Sequence, residues 1–167
     1  MQKGAQSKDT IRLIKQVVFE HINKTTQEQA KQVILAGLKQ RWGFLKASLN
    51  PDLNNIVESY TKQGNSFLVG RLGNTIICTG ALISEGTNTG RIVRMSVVKE
   101  FRKKGLGTLM LQHLVEIAKE KKYQKLVLET TKSWADAIAF YKKFGFEVYE
   151  ITDQDIHLSM RLNSLGK

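Results

Sequence analysis

Cysteine and proline are nearly absent from this sequence, which has one of each among its 167 residues. A single cysteine, Cys78, excludes an internal disulfide and fits a reducing compartment, so we expect a cytoplasmic protein. Cys78 lies within an apolar run, which predicts a small buried residue rather than a nucleophile. No apolar stretch reaches the ~18 residues of a membrane span, so we expect none. The polar segment 1–9 also lacks the apolar centre of a secretory signal.

Linkers and metal-ligand spacings are also missing. The composition, 41% hydrophobic and 25% charged, is that of an ordinary globular protein. A chain of this length can bury a core of its own, and no proline-rich or glycine-rich stretch divides it, so we treat residues 1–167 as a single domain. His21, His113 and His157 are not spaced as metal ligands, and we therefore predict no metal.

Acidic side chains are few relative to basic ones, 15 against 26, which gives a formal net charge of +11. The excess is concentrated, because residues 91–143 carry 13 basic and five acidic side chains, whereas residues 144–167 carry two and four. An anionic ligand is therefore expected on segment 91–143. Nucleic acid would be attracted by the same charge. However, the sequence has neither a basic motif interleaved with aromatics nor a zinc-finger spacing.

Segment 94–110 is the most informative stretch, because an apolar strand runs into a short basic loop that opens a helix. Gly105 and Gly107 lack a Cβ, so the backbone can turn tightly and a ligand can approach its N–H groups. The unpaired N–H groups and the positive dipole end of the helix point to the same place. The loop also supplies three cations, Arg102, Lys103 and Lys104. This arrangement suits a pyrophosphate, and the alternative is a solvated basic turn before an ordinary helix.

The first half of the chain predicts helices followed by a run of strands. β-Branched residues over Thr10–Phe19 predict a first strand. A capping box at Thr25–Glu28 predicts a helix that ends near Gly43. Asn50–Pro51 predicts the start of a second helix. An antiparallel meander should follow, with strands over Ser66–Arg71, Thr75–Ser84 and Arg91–Val98 and a turn at Gly73–Asn74.

The second half predicts alternating helices and strands. Apolar residues at helical spacing indicate a long helix from Gly105 to about Lys122, and Lys125–Thr130 then reads as a strand. A strand, a helix and a strand in succession imply a right-handed crossover between parallel neighbours. A second capping box, Ser133–Asp136, predicts a helix that ends at Gly145. The final strands are expected over Phe146–Glu150 and Ile156–Leu162.

Two motifs carry a family resemblance. Residues 102–107 (Arg-Lys-Lys-Gly-Leu-Gly) fit the pattern R/Q-x-x-G-x-G/A, and residues 137–146 place a tyrosine shortly before Gly-Phe. Together with the element order, they resemble the GNAT superfamily of acetyl-CoA-dependent N-acetyltransferases over nearly the whole chain. The resemblance implies an α+β fold with a splayed, mostly antiparallel mixed sheet of about seven strands and about four helices. The sheet would open between the strands that end near Val98 and Thr130.

The resemblance also implies how acetyl-CoA, the cosubstrate, would bind. The pantetheine arm would enter the open part of the sheet, where backbone groups near Met95 and Val97 would bond the arm and the acetyl carbonyl. Trp134 stands where the superfamily often has asparagine, so we expect packing there, either on the pantetheine or as a cover for the helix start. The implied cofactor-binding residues are Met95, Val97, Arg102, Lys103, Lys104, Gly105, Leu106, Gly107, Thr108 and Trp134.

Acetyl transfer to an amine needs a neutral nucleophile, an oxyanion site and an acid for the departing thiolate. Tyr141 is the candidate acid because the ordinary pKa of a phenol, about 10, lies close to that of a thiol. The alternative for Tyr141 is a core aromatic. Glu129 and Glu85 are the candidate bases. The alternative for each is a solvated carboxylate without a catalytic role. Arg91 and Arg94 lie on a strand where some relatives carry a glutamate base.

We therefore predict an N-acetyltransferase that moves acetyl from acetyl-CoA to a primary amine by direct attack through a tetrahedral intermediate. The acceptor would be a small-molecule or peptide amine, in a pocket lined by segments 41–60 and 129–134. The alternatives are a non-catalytic acyl-CoA-binding module, which would not need Tyr141, and a basic nucleic-acid-binding protein. The final strands are candidates for pairing between two chains in a homodimer.

Overall fold

The computed structural model describes residues 2–43 and 50–162. In these residues, seven strands form one sheet in the order β1-β2-β3-β4-β5-β7-β6. The strands are β1 (Val18–His21), β2 (Ser66–Leu72), β3 (Thr75–Ser84), β4 (Thr89–Val97), β5 (Lys125–Thr131), β6 (Glu147–Ile151) and β7 (Asp155–Arg161). The α-helices are α1 (Gln2–Lys15), α2 (Gln27–Trp42), α3 (Ile56–Thr61), α4 (Leu106–Glu120) and α5 (Ala135–Phe144).

The sheet is mixed and mostly antiparallel, as predicted. Strands β1 to β4 form the expected meander, and β5 pairs antiparallel with β7, which pairs antiparallel with β6. The β4–β5 pair is parallel, as the strand–helix–strand pattern required. Gly73, with a φ of 59°, turns the chain between β2 and β3.

Strands β4 and β5 pair only at their beginnings. Thr89, Gly90 and Arg91 face Lys125, Leu126 and Val127. Beyond Arg91 and Val127, β4 continues to Val97 and β5 to Thr131 without a shared register. The sheet is therefore open between its two central strands, as the family resemblance implied. We call this opening the β4–β5 gap.

A hydrophobic core covers each face of the sheet. The core on one face includes Leu106, Met110 and Leu114 of α4 and Tyr141 of α5. The core on the other face includes Ala30, Val33 and Ile34 of α2 and Ile56 and Tyr60 of α3. Ile92 and Val93, adjacent on β4, pack into opposite cores, as the alternation of a strand requires.

The predicted strand over Thr10–Phe19 is wrong for most of its length, because α1 occupies its first part and β1 begins only at Val18. Ile14 is buried in the α4-side core, whereas Ile11 and Leu13 are 51% and 40% exposed. Burial of one side of this segment favours a helix. The β-branched composition is only a weak preference, which tertiary packing overrides.

The capping box predicted at Thr25–Glu28 does not form. Helix α2 begins one residue later than expected, after Thr26, and Thr26 makes no side-chain cap. Asn23 organises the entry, since its Oδ1 accepts the N–H groups of Thr25 and Thr26 at 2.8 and 3.1 Å. Glu28 accepts a hydrogen bond from Gln32 on the next turn instead of reaching back. The predicted end at Gly43 is confirmed, with a φ of 75°.

The second predicted capping box, Ser133–Asp136, is also absent. Trp134 precedes the first residue of α5 and makes no side-chain cap, and the Asp136 carboxylate binds Arg41 instead. The predicted end at Gly145 is confirmed, because this residue has a φ of 130° and its N–H donates to the carbonyl of Tyr141.

The helix predicted from Asn50–Pro51 is divided in two. Pro51–Asn54 forms a single 3-10 turn, and α3 begins after Asn55, whose Oδ1 accepts the N–H of Glu58 at 3.2 Å. The Asn50 side chain does not cap a helix, because its Oδ1 accepts a hydrogen bond from Arg94. Among residues 2–43 and 50–162, no helix combines the length and hydropathy that a bilayer crossing requires.

Cys78 should be chemically silent in the folded protein. It is fully buried on β3, and burial raises the pKa of its thiol to about 12. Because the thiolate is the reactive form, we expect no reaction of native protein with Ellman's reagent at mildly alkaline pH. Unfolding in denaturant should release one thiol per chain. Rapid labelling of the native protein would contradict this placement of β3.

Candidate active site

Val97 lies at the edge of β4 that borders the β4–β5 gap. The N–H of the next residue, Val98, donates to the Ile77 carbonyl on β3 at 2.9 Å. Because successive backbone groups of an antiparallel strand alternate in direction, the N–H and C=O of Val97 point away from β3 and toward the gap. The Val97 carbonyl accepts a hydrogen bond from Arg102 Nε at 2.8 Å.

A β-bulge bends β4 beside the gap. Its register with β3 shifts between Thr79 and Ala81, and Arg94 adopts a φ of 55°, which is uncommon for a residue with a side chain. Thr79 Oγ1 donates to the Arg94 carbonyl at 2.7 Å. Gly80 makes room for the bulge, since a Cβ there would lie 2.8 Å from Met95 Sδ. The bulge thus turns β4 after its last pair with β5.

The loop between β4 and α4 exposes backbone donors next to the gap. Lys103 and Gly105 have φ angles of 61° and 92°. The helical ladder of α4 begins with Leu109 N–H donating to the Gly105 carbonyl at 3.1 Å. Among the turn and cap hydrogen bonds of the described chain, none is donated by an amide from Lys103 to Thr108. These amides and the helix N-terminus are therefore able to donate hydrogen bonds to an anion.

The three basic side chains of the loop differ in their surroundings. Lys103 and Lys104 are exposed, whereas Arg102 is half-buried. The Arg102 guanidinium binds the Val97 carbonyl and reaches α2, where its Nη2 lies 3.9 Å from the position that a Cβ of Gly37 would take. Arg102 therefore braces β4 against α2, and the two lysines supply the exposed charge of the loop.

Leu106, Gly107 and Thr108 form the first turn of α4. The Leu106 side chain is fully buried. A Cβ on Gly107 would lie 3.2 Å from Cζ of Phe140, so the glycine allows α5 to pack closely on α4. The side-chain positions of Leu106 and Gly107 thus serve packing, while their amides stay at the helix N-terminus.

Tyr141 lies in the α4-side core with 9% of its surface exposed. Its ring makes edge contacts with Phe140 and Phe146, at centroid distances of 5.1 and 5.9 Å. Burial raises the pKa of its phenol, an effect that the charge of Arg41 partly opposes. Every completely buried side-chain oxygen among the described residues has a hydrogen-bond partner. The Tyr141 hydroxyl has no such partner among these residues. Its oxygen must therefore retain access to solvent.

Arg91 brings the two predicted bases together. Its Nε and Nη2 donate to Glu85 at 2.8 and 2.9 Å, and this contact lowers the pKa of Glu85. Glu129, two residues beyond the last β5 residue that pairs with β4, is 52% exposed and makes longer contacts. Its Oε2 lies 3.9 Å from Arg91 Nη1 and 3.6 Å from His157 Nδ1. Glu129 is therefore less committed to an ion pair than Glu85.

Arg94 is the centre of a polar network that the sequence did not predict. Its Nε and Nη2 donate to Asp52 at 3.0 and 2.6 Å, and its Nη1 donates to Asn50 at 3.1 Å. The Tyr60 hydroxyl also donates to Asp52. Burial and this bond raise the pKa of Tyr60 to about 12. Burial opposes ionisation of Asp52, but its hydrogen bonds outweigh that cost and lower its pKa.

Trp134 packs against α2, which the sequence also did not predict. The Arg41 guanidinium lies over its ring, 4.6 Å from the centroid, and the Trp42 ring is 5.4 Å away. Arg41 also donates two hydrogen bonds to Asp136, at 2.7 and 2.9 Å. Trp134 therefore covers the start of α5, one of the two roles expected for it. Part of the predicted acceptor lining, residues 44–49, lies outside the described residues.

The histidines have separate surroundings. His113 stacks on Phe19 at a centroid distance of 4.4 Å, and His157 faces Glu129 and Tyr149. Within the part of the chain that the structure describes, no group of three or more potential ligands could hold a metal ion.

An open sheet beside a basic loop with unpaired amides is the arrangement expected of an acyltransferase that uses coenzyme A, and comparison with known proteins agrees. The family model described as Acetyltransferase (GNAT) family matches residues 35–146. This span contains the bulged strand, the loop and Tyr141. The chain belongs to the GNAT acetyltransferase family, as its motifs suggested.

A sequence relative supports this membership, and two solved structures share the fold. N-acetylaspartate synthetase of Rattus norvegicus is 31% identical over 136 residues, which cover 80% of this chain and 43% of that protein. The chain thus spans less than half the length of this relative. A GNAT acetyltransferase of Staphylococcus aureus Mu50 has a TM-score of 0.80 at 22% identity, covering 88% and 99% of the two chains. The PaiA N-acetyltransferase of Thermoplasma acidophilum, in complex with coenzyme A, has a TM-score of 0.77 at 18% identity, and the match covers 87% of this chain and 99% of that chain.

The substitution Gly105→Ala tests the conformation of the loop. A Cβ there would meet no atom within 4 Å, so only the φ of 92° opposes it. A left-handed conformation costs an L-residue roughly 1–2 kcal/mol. We expect the loop to relieve part of this cost by moving, which misaligns its amides. A similar loss of binding energy corresponds to about tenfold weaker affinity for coenzyme A by calorimetry.

Gly73→Ala is the matched control for this substitution. Gly73 also has a positive φ, 59°, and open space around its Cβ position, but it lies in the β2–β3 turn. Both variants should lose thermal stability, and only Gly105→Ala should lose affinity for coenzyme A. Equal affinities in the two variants would argue against the loop amides as the pyrophosphate site.

Proposed function

We propose that the enzyme transfers the acetyl group of acetyl-CoA to a primary amine, with the thioester held in the β4–β5 gap. The separation of β4 from β5 after Arg91 and Val127 carries the proposal. The N–H and C=O of Val97 face this gap, so an extended pantetheine arm can bond there as an added strand. The acetyl carbonyl would then lie against backbone groups from Met95 to Val97.

The pyrophosphate is assigned to the loop that follows β4. The amides from Lys103 to Thr108 and the N-terminus of α4 lie directly after the gap-facing strand. Backbone donors and the helix dipole together favour a doubly charged diphosphate. Lys103 and Lys104 are exposed at the same turn and add positive charge without a carboxylate partner in the described chain.

The proton transfers are assigned to Glu129 and Tyr141. Glu129 accepts the proton that the amine loses, directly or through water, so that a neutral nitrogen attacks the acetyl carbonyl carbon. The tetrahedral intermediate then collapses, the C–S bond breaks, and the Tyr141 hydroxyl protonates the departing thiolate. The resulting Tyr141 phenolate recovers a proton, through water, from the positively charged nitrogen, which leaves the neutral amide. The raised pKa of Tyr141 keeps the phenol protonated at neutral pH, as a general acid must be.

The acceptor is expected on the α2 side of the gap. Arg41, Arg91 and Arg94 all border this region, and each has a carboxylate partner, so none presents an unneutralised charge. Glu129 lies on the same side. We infer a small-molecule or peptide amine, and the name of the rat relative makes aspartate one acceptor to test.

A thiol-release assay with acetyl-CoA tests the proposed reaction. The acceptors should include aspartate, other amino acids, a polyamine and a peptide with a free N-terminus. We expect release of coenzyme A that depends on one class of amine, with stoichiometric N-acetyl product by mass spectrometry. Binding of acetyl-CoA without turnover on any primary amine would contradict the proposal.

Tyr141→Phe should lower kcat by about 10²–10⁴-fold, the usual contribution of a general acid. Affinity for acetyl-CoA should not change, because the ring and its packing are retained. Tyr123→Phe is the control, since Tyr123 packs beside Gly90 at the closed end of the gap. Turnover of Tyr141→Phe at the rate of the unsubstituted enzyme would remove Tyr141 from the chemistry.

Glu129→Gln should lower kcat/KM at neutral pH by about 10²-fold through loss of the base. The defect should shrink as pH rises, because more of the amine is then already neutral. The exposed Glu147, on β6, provides the control substitution Glu147→Gln. A defect that is the same at every pH would argue against proton removal by Glu129.

A further inference from the structure

Two helices that pack on opposite faces of the sheet touch each other. Helix α2 belongs to the core with Ala30, Val33 and Ile34, and α5 contributes Tyr141 to the core on the other face. Yet Arg41 near the end of α2 binds Asp136 in the first turn of α5 through two hydrogen bonds. Contact between opposite faces requires an edge of the sheet or an opening in it.

The opening is the β4–β5 gap. Helix α2 packs over β3 and β4, in the middle of the sheet, whereas the sheet edges are β1 and β6. The four residues in contact, Arg41, Trp42, Trp134 and Asp136, therefore meet across the open end of the gap. We call this set the α2–α5 bridge. It is opposite the closed end, where Arg91 pairs with Val127.

Helix α5 packs on α4 mainly beyond its first turn, around Phe140 and Tyr141. Tyr141 is the one buried residue of α5, and the other apolar side chains of the helix are only partly covered. The bridge contacts its first turn, one and a half turns from Tyr141. The position of the Tyr141 hydroxyl relative to β4 thus depends on how the first turn of α5 is held.

We propose that Arg41 and Asp136 are positioning residues for acetyl transfer, which hold α5 across the gap so that the Tyr141 hydroxyl lies against the thioester. The proposal rests on the proposed role of Tyr141 as the acid. The ion pair is partly solvated, with 67% of the Asp136 side chain exposed, so it contributes little to folding stability. Its effect should therefore appear in catalysis and not in the thermal midpoint.

The first test compares Asp136→Asn with Asp136→Glu. A misplaced reacting group costs as much as about 100-fold for a 1 Å shift, so we expect Asp136→Asn to lower kcat roughly tenfold, with an unchanged melting temperature. Asp136→Glu keeps the charge and should restore most of the rate. Glu116→Gln, which breaks the exposed Glu116–Lys119 contact on α4, is the control and should keep full activity. A full kcat in Asp136→Asn would overturn the proposal.

The second test places Asp136→Asn in the Tyr141→Phe background. If the bridge acts through the Tyr141 hydroxyl, Asp136→Asn should not lower kcat further in an enzyme that already lacks this hydroxyl. Suppose that Tyr141→Phe has a low kcat and that Asp136→Asn lowers kcat by the same factor with and without the Tyr141 hydroxyl. This result would overturn the bridge proposal and leave the acid role of Tyr141 intact. A fast Tyr141→Phe enzyme would instead overturn the acid role, and with it any bridge that acts through it.

Discussion

The separation of β4 from β5 is the constraint on which the rest of the site depends. Backbone groups in the middle of a sheet are normally paired, and leaving them unpaired is costly unless another partner bonds them. In this protein the pairing ends after three residues, and the bulge at Arg94 turns β4 away at that point. Two hydrogen bonds hold Arg94 in this unusual conformation. The Thr79 hydroxyl donates to its carbonyl, and its guanidinium donates to the Asp52 carboxylate.

Charge around the gap follows a consistent division. On the α2 side, the guanidinium groups are neutralised by carboxylates or bound to a carbonyl, so they hold segments together. At the loop, Lys103 and Lys104 are exposed and stand beside unpaired amides. The net positive charge of segment 91–143 is therefore left unneutralised at the loop, where an anionic cosubstrate is expected. On the acceptor side the charges are nearly balanced.

Local patterns predicted much of the fold. A strand-like apolar run after the Gly73–Asn74 turn gave β3 with its actual bounds, and helical spacing gave α4 within two residues. The loop was predictable because its glycines, cations and helix start are contiguous. Thr10–Phe19 was misread because packing of Ile14 outweighs β propensity, and both capping boxes failed because their acidic residues have other partners. The Arg94–Asp52 and Arg41–Asp136 contacts join residues 42 and 95 positions apart, a pairing that no local pattern encodes.

Hydrogen exchange of the loop amides tests the central claim most directly, because it reports on the backbone groups themselves. The amides from Lys103 to Thr108 should exchange rapidly in the unliganded enzyme, since none donates a turn or cap hydrogen bond in the described chain. Saturating coenzyme A should slow their exchange together with that of Val97. Unchanged exchange at these positions, at a concentration where calorimetry shows the enzyme to be saturated, would contradict the account.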